Sequence, residues 1–175
     1  MKRFRIAALG AAVLLSCASD LTSDIRVQSA ADKKTRFEGY HSYAWYTASA
    51  TLRDRTNTWA PKSTNAQAQI QALIERGFRD HGMVPARMRP DLLVSYSLAA
   101  DLKEVEAIKS ERGDAIGVFE PIGDGSLLIE LIDAQTGKTV WLGAAQGKVR
   151  GARTNEERNE RLAYAIEKLF DQLPR

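Results

Sequence analysis

Residues 126–149 read Ser-Leu-Leu-Ile-Glu-Leu-Ile-Asp, then Ala-Gln-Thr-Gly, then Lys-Thr-Val-Trp-Leu-Gly-Ala-Ala-Gln-Gly-Lys-Val. Two apolar runs around a short polar stretch that ends in glycine predict a β-hairpin, with strands over Ser126–Asp133 and Lys138–Val149. Gly137 supplies the positive φ that such a turn with a bulge requires. Gly137-Lys138-Thr139 therefore reads as a hairpin turn and not as a nucleotide loop. A phosphate loop has a glycine five positions before its Gly-Lys pair, where this chain has Ile132, and it joins a strand to a helix.

Beyond the hairpin, Thr154 and Glu157 form a Thr-x-x-Glu capping box that opens a last helix. Leu162, Ala165, Ile166, Leu169, Phe170 and Leu173 give that helix an apolar stripe, and Pro174 follows its end. On the other side of the hairpin, Asp91 opens a strand whose period-two face is Leu92, Val94, Tyr96 and Leu98. Residues 101–111 fit either a continuation of that strand or a short helix, and 113–125 read as loop. Earlier still, Ser63 or Thr64 can cap a helix carrying Ala66, Ile70, Leu73, Ile74 and Phe78 on one face. It ends by Gly82, with Gly77 an earlier possible stop. Residues 38–46 form an aromatic-rich strand, and 47–62 a loop whose Trp59 either folds back on the core or meets a partner. The order β-α-β-β-β-α predicts an α+β domain over 37–175, a two-layer fold with a mainly antiparallel sheet of about four strands against two helices.

The chain has 25 basic and 22 acidic side chains, a net charge of +3. Lys2, Arg3 and Arg5 account for all of the excess, because residues 1–16 hold no acid. The remainder is neutral, which argues against nucleic acid as a partner. A basic start, the apolar run Ile6–Leu15 and a small residue at Ser16 read as a signal peptide over 1–16. The run is too short to span a bilayer, which takes about 20 residues.

Cys17, the only cysteine, follows Leu14-Leu15-Ser16 directly. A lone cysteine in an exported chain has no disulfide partner. Leu-Leu-Ser-Cys resembles the bacterial lipobox, which implies a diacylglyceryl thioether on Cys17, cleavage before it and acylation of the new amino group. Ordinary cleavage after Ala18, leaving a soluble protein, is the alternative. Ala18 behind the cysteine, where Asp would retain a lipoprotein in the inner membrane, implies the periplasmic face of the outer membrane by the sorting rule this resembles. Residues 17–36 are polar and read as a lipidated cysteine plus a flexible tether, with a reach of about 25 Å.

Four stretches, with the end of the closing helix also fitting, resemble one family of bacterial envelope lipoproteins, domain-of-unknown-function family 4136. The four are Phe37–Trp45, Pro90–Tyr96, Gly125–Asp133 running into Thr136-Gly137-Lys138, and Val140-Trp141-Leu142-Gly143; the helix end is Phe170-Asp171-Gln172-Leu173-Pro174. The resemblance implies an exported lipoprotein of this fold and supplies no catalytic residues. The long 47–62 loop and Leu142, where an Arg is frequent, depart from the pattern.

No motif adds a reaction, cofactor or metal. His41 and His81 lack ligand-spaced neighbours, and no loop alternates oxygen ligands as a calcium loop does. Glu104 and Glu106 share a face if their stretch is a strand, but glycosidase carboxylates must face each other across a substrate. Arg76, Arg79, Arg87 and Arg89 form a basic patch that suits a partner, anionic headgroups or plain solvation. The expected role is non-enzymatic binding or scaffolding, held to the bilayer through acylated Cys17 and working with other envelope proteins. A carrier of a small or lipidic ligand is the main alternative, and a hydrolase of envelope polymers a further one.

Overall fold

A computed structural model describes residues 21–53, 66–99, 125–148 and 154–175. The elements run β1 (Arg26–Ala31), a 3-10 turn (Phe37–Gly39), β2 (Ser42–Arg53), α1 (Ala66–Asp80), β3 (Val84–Pro85), β4 (Leu92–Ala99), β5 (Gly125–Asp133), β6 (Thr139–Gly147) and α2 (Asn155–Phe170). The hairpin forms as expected: β5 and β6 pair antiparallel from Gly125–Gly147 to Ile132–Thr139, and Gly137 takes φ +70°. The capping box is present too, with Thr154 Oγ1 accepting from the Glu157 N–H and the Glu157 carboxylate accepting from the Thr154 N–H.

The fold is α+β, but its sheet has six strands and is mixed, in the order β1-β6-β5-β4-β2-β3. The expected mainly antiparallel sheet of about four strands is corrected in two places. First, β2 runs parallel to β4 and to β3. A helix between two strands carries the chain back to its starting end, so β2-α1-β4 makes a parallel pair. Second, residues 26–31 are strand and not tether. Backbone bonding to β6, from Arg26–Gln146 to Ala31–Trp141, holds β1 as an edge strand although Val27 is its only bulky apolar residue. The folded unit thus includes part of 17–36 and does not begin at Phe37.

Two boundaries also move. The aromatic strand starts at Ser42 and continues to Arg53, so residues 47–53 of the expected loop belong to β2, with a register shift between Trp45 and Ala50. Gly77 does not stop α1. It lies inside the helix, where an added Cβ would come within 2.5 Å of the Phe170 ring, so its missing side chain lets α1 and α2 approach. Gly82, at φ +74°, follows the helix end. Ser63, Thr64, Trp59, Glu104 and Glu106 lie outside the described residues, as do residues 1–20 with Cys17.

Register sorts the strand residues onto two faces. Leu92, Val94, Tyr96 and Leu98, the face expected from sequence, line up with Leu127, Ile129 and Leu131 and with Trp141 and Ala145. All of these are buried in one core with Ile70, Ile74 and Phe78 of α1 and Leu162, Ala165, Ile166 and Leu169 of α2. Burying each such side chain contributes on the order of 2 kcal/mol, so this layer is the main source of stability. Trp141 lies across its own strand, where an added Cβ on Gly143 would sit 2.3 Å from the indole. The opposite face is more polar yet equally buried, with Ser95, Ser126, Glu130 and Gln146 around Leu128. There Glu130 accepts hydrogen bonds from Ser95 Oγ (2.9 Å) and Thr139 Oγ1 (2.6 Å).

Candidate functional site

Polar side chains gather at two ends of the sheet. At the β1 end, Arg161 of α2 reaches residues 21–24. Its guanidinium makes a two-pronged pair with Asp24, at 2.6 and 2.9 Å, and also donates to the Leu21 carbonyl. Arg161 is only 4% exposed. Gly147 makes room for it, since a Cβ there would stand 2.8 Å from Nη2. Burial disfavours the Asp24 carboxylate, but Arg161 and the Lys148 N–H outweigh that and hold its pKa at about 2. Ile25 is buried beside this clamp. The sequence offered one signal for it: Arg161 adjoins the apolar stripe of α2, four residues before Ala165, where a charge is buried and must find a partner.

At the other end, three stretches of the family resemblance meet. Asp91 Oδ2 accepts from the N–H groups of His41 (3.0 Å) and Ser42 (2.9 Å) and from Ser42 Oγ (2.7 Å). These bonds, with the His41 N–H first, lower the Asp91 pKa. Tyr40 Oη donates to Asp133 Oδ2 at 2.8 Å, and burial followed by that bond raises the phenol to about 12. Asp133 Oδ1 also accepts from Thr136 N–H (2.7 Å) and Oγ1 (2.8 Å), closing the hairpin turn. Burial raises the Asp133 pKa, and these donors, Thr136 foremost, bring the net shift below the ordinary value. The arrangement staples the start of β2 to β4 and β5, and each carboxylate serves backbone and hydroxyl donors of the fold.

The remaining expected residues are placed plainly. His41 is exposed at the start of β2, and His81 is half-buried past α1 with Nδ1 3.0 Å from the Gly77 carbonyl. Arg76, Arg79, Arg87 and Arg89 are all exposed. An open groove of about 400 Å³ runs between the helices over Leu73, Gly77, Ile166 and Phe170, with Arg76 and Glu167 on its rim. Among the described residues no group of three His, Cys, Asp or Glu side chains is placed to hold a metal ion, and no helix is long and apolar enough to cross a membrane.

The family model "Domain of unknown function (DUF4136)" matches residues 27–175. The chain belongs to this family. The match starts in β1, which agrees with the corrected boundary of the folded unit. Among solved structures, a DUF4136 family protein from Bacteroides thetaiotaomicron is similar at 16% identity and a TM-score of 0.53, over 85% of this chain and 95% of that one. At that identity the likeness shows the fold. A PDZ domain protein from Parabacteroides distasonis (12% identity, TM-score 0.47, 87% of this chain and 37% of that one) and the PelC dodecamer from Paraburkholderia phytofirmans (12%, 0.47, 85% and 97%) are looser matches. A comparison with curated proteins finds no match.

Proposed function

We propose that this DUF4136 chain is a lipid-anchored protein of the bacterial cell envelope, a non-enzymatic binding or scaffolding module on the periplasmic side of the outer membrane. The observation that carries this reading is the run of residues 1–17: three cations, ten apolar residues, then Leu14-Leu15-Ser16-Cys17. Acylation needs the nucleophilic sulfur that only Cys17 offers. Each buried methylene contributes about 0.8 kcal/mol, and two or more acyl chains hold far longer than one.

The Asp24–Arg161 clamp gives the anchor a consequence. Four residues lead from Cys17 to Leu21, so even fully extended they span at most about 14 Å. Acylated Cys17 then keeps the β1 end of the domain beside the bilayer, on a leash shorter than the 25 Å expected of a longer tether.

The test is metabolic labelling with tritiated palmitate, followed by membrane fractionation and intact mass. Wild type incorporates label, fractionates with the outer membrane and has a mass that starts at an acylated Cys17. Cys17→Ser incorporates none. An unlabelled soluble chain starting near Ser19 overturns the anchor and moves a periplasmic ligand carrier to first place.

A further inference from the structure

The segment Val84-Pro85-Ala86-Arg87-Met88-Arg89 is the most exposed apolar feature of the described residues. Met88 is 85% exposed and Val84 58%. Arg87 and Arg89 flank Met88, are exposed themselves, and form no ion pair with a described carboxylate. The nearest acid in sequence, Asp91, is turned toward His41 and Ser42. Arg89 has φ +49°, a left-handed conformation uncommon for a residue with a side chain, and Pro85 and Pro90 fix φ on either side of the loop. Nothing in the core requires Met88, whose side chain stands in water with a cation on either side of it in the chain.

We infer that this corner docks an acidic protein segment, one that sets carboxylates against Arg87 and Arg89 and an aliphatic side chain against Met88 and Val84. Charge complementarity selects this occupant over two others. A second copy meeting the patch about a two-fold axis would set Arg87 and Arg89 against their own counterparts. An anionic bilayer is disfavoured by position. Five strand steps and about seven residues of strand length separate Arg26 at the clamped end from this loop, roughly 33 Å along the diagonal of the sheet. With Cys17 as the anchor, the loop points away from the membrane. That argument against lipid rests on the anchor reading, whereas the patch itself does not.

Recognition here runs through side chains and not through strand addition. Val84 and Ala86 donate their N–H groups inward to His41 and Tyr43, and outward-facing Pro85 has no N–H to offer.

The chain contains three methionines, Met1, Met83 and Met88, and Met83 is buried at 3% exposure. Methyl-¹³C methionine NMR of the full chain in detergent solution therefore carries its own control, with Met88 assigned by Met88→Leu. The probe is a synthetic (Glu-Leu)₆ peptide, beside (Lys-Leu)₆ and phosphatidylglycerol vesicles. The expected result is that (Glu-Leu)₆ shifts Met88 and leaves Met83 in place, and that (Lys-Leu)₆ shifts neither. Arg87→Glu with Arg89→Glu weakens the effect at least tenfold. No Met88 shift at about 1 mM peptide, the weak end of specific recognition, overturns the proposal. So does a shift produced by the vesicles alone or by raising protein concentration alone. Failure of the palmitate experiment leaves this titration unchanged, so the two readings fail separately.

Discussion

The two edges of the sheet solve the problem of an open edge in opposite ways. On the β1 side charge is turned inward: Asp24 and Arg161 are both nearly buried and satisfy each other, and they hold residues 21–25 against α2. On the β3 side charge is turned outward: a two-residue strand ends at a proline, and two exposed arginines frame an exposed methionine. The first edge is a fixed joint whose energy goes into the fold. The second leaves its apolar and charged groups exposed to solvent. Residue type alone therefore does not tell a charge built into the fold from one left in solvent; the element that buries it does.

The largest effect is expected at the joint. Arg161→Met leaves Asp24 buried without its partner and is expected to cost about 3–5 kcal/mol, read as a lowered midpoint in urea unfolding. A loss below about 1 kcal/mol would make the pair an ordinary surface contact.

The next effect is titration of Asp24. Its folded pKa of about 2 lies below the usual 3.8. The carboxylate therefore stabilises the fold above the unfolded pKa, and that contribution is lost as pH falls from about 4 toward 2. Its size is about 2 kcal/mol. Urea titrations across this window should lose that amount in wild type and much less in Asp24→Asn, itself less stable at neutral pH.

Smaller still is the cap of the helix that carries Arg161. Thr154→Ala removes one half of the capping box and is expected to cost about 1 kcal/mol in the same assay. At the opposite edge, Met88→Ser and Arg87→Glu should stay within about 0.5 kcal/mol of wild type, because nothing folded depends on them. A loss there as large as that of a core truncation would make the loop structural and erase the contrast between the edges.

Much of this fold was legible where burial imposes a period. The β5–β6 hairpin, the face Leu92-Val94-Tyr96-Leu98, the stripe of α1 and the capping box of α2 all stand where the sequence places them. The sequence failed where backbone bonding or tertiary contact decides. The strand Arg-Val-Gln-Ser-Ala-Ala carries almost no hydrophobic signal, because an edge strand is defined by pairing to β6. Gly77 reads as a helix stop until the Phe170 ring explains it. The parallel β2–β4 pair is implicit in the order strand–helix–strand, although the fold expected from sequence is a mainly antiparallel sheet. Of the residues proposed to carry function, Cys17 rests on the sequence before it alone. The basic patch was visible as four arginines, but only the register shows Arg87 and Arg89 at the corner opposite the clamp.

The most direct test of the account is the height of each corner above the membrane. With Cys17 acylated, a cysteine introduced at Lys148 or at Met88 is the sole free thiol and takes one fluorophore. Energy transfer to an acceptor lipid in reconstituted vesicles should be strong from position 148, beside the clamp, and weak from position 88. Equal transfer from both positions, or stronger transfer from 88, would contradict a domain held at its β1 end with the Arg87–Arg89 corner facing away.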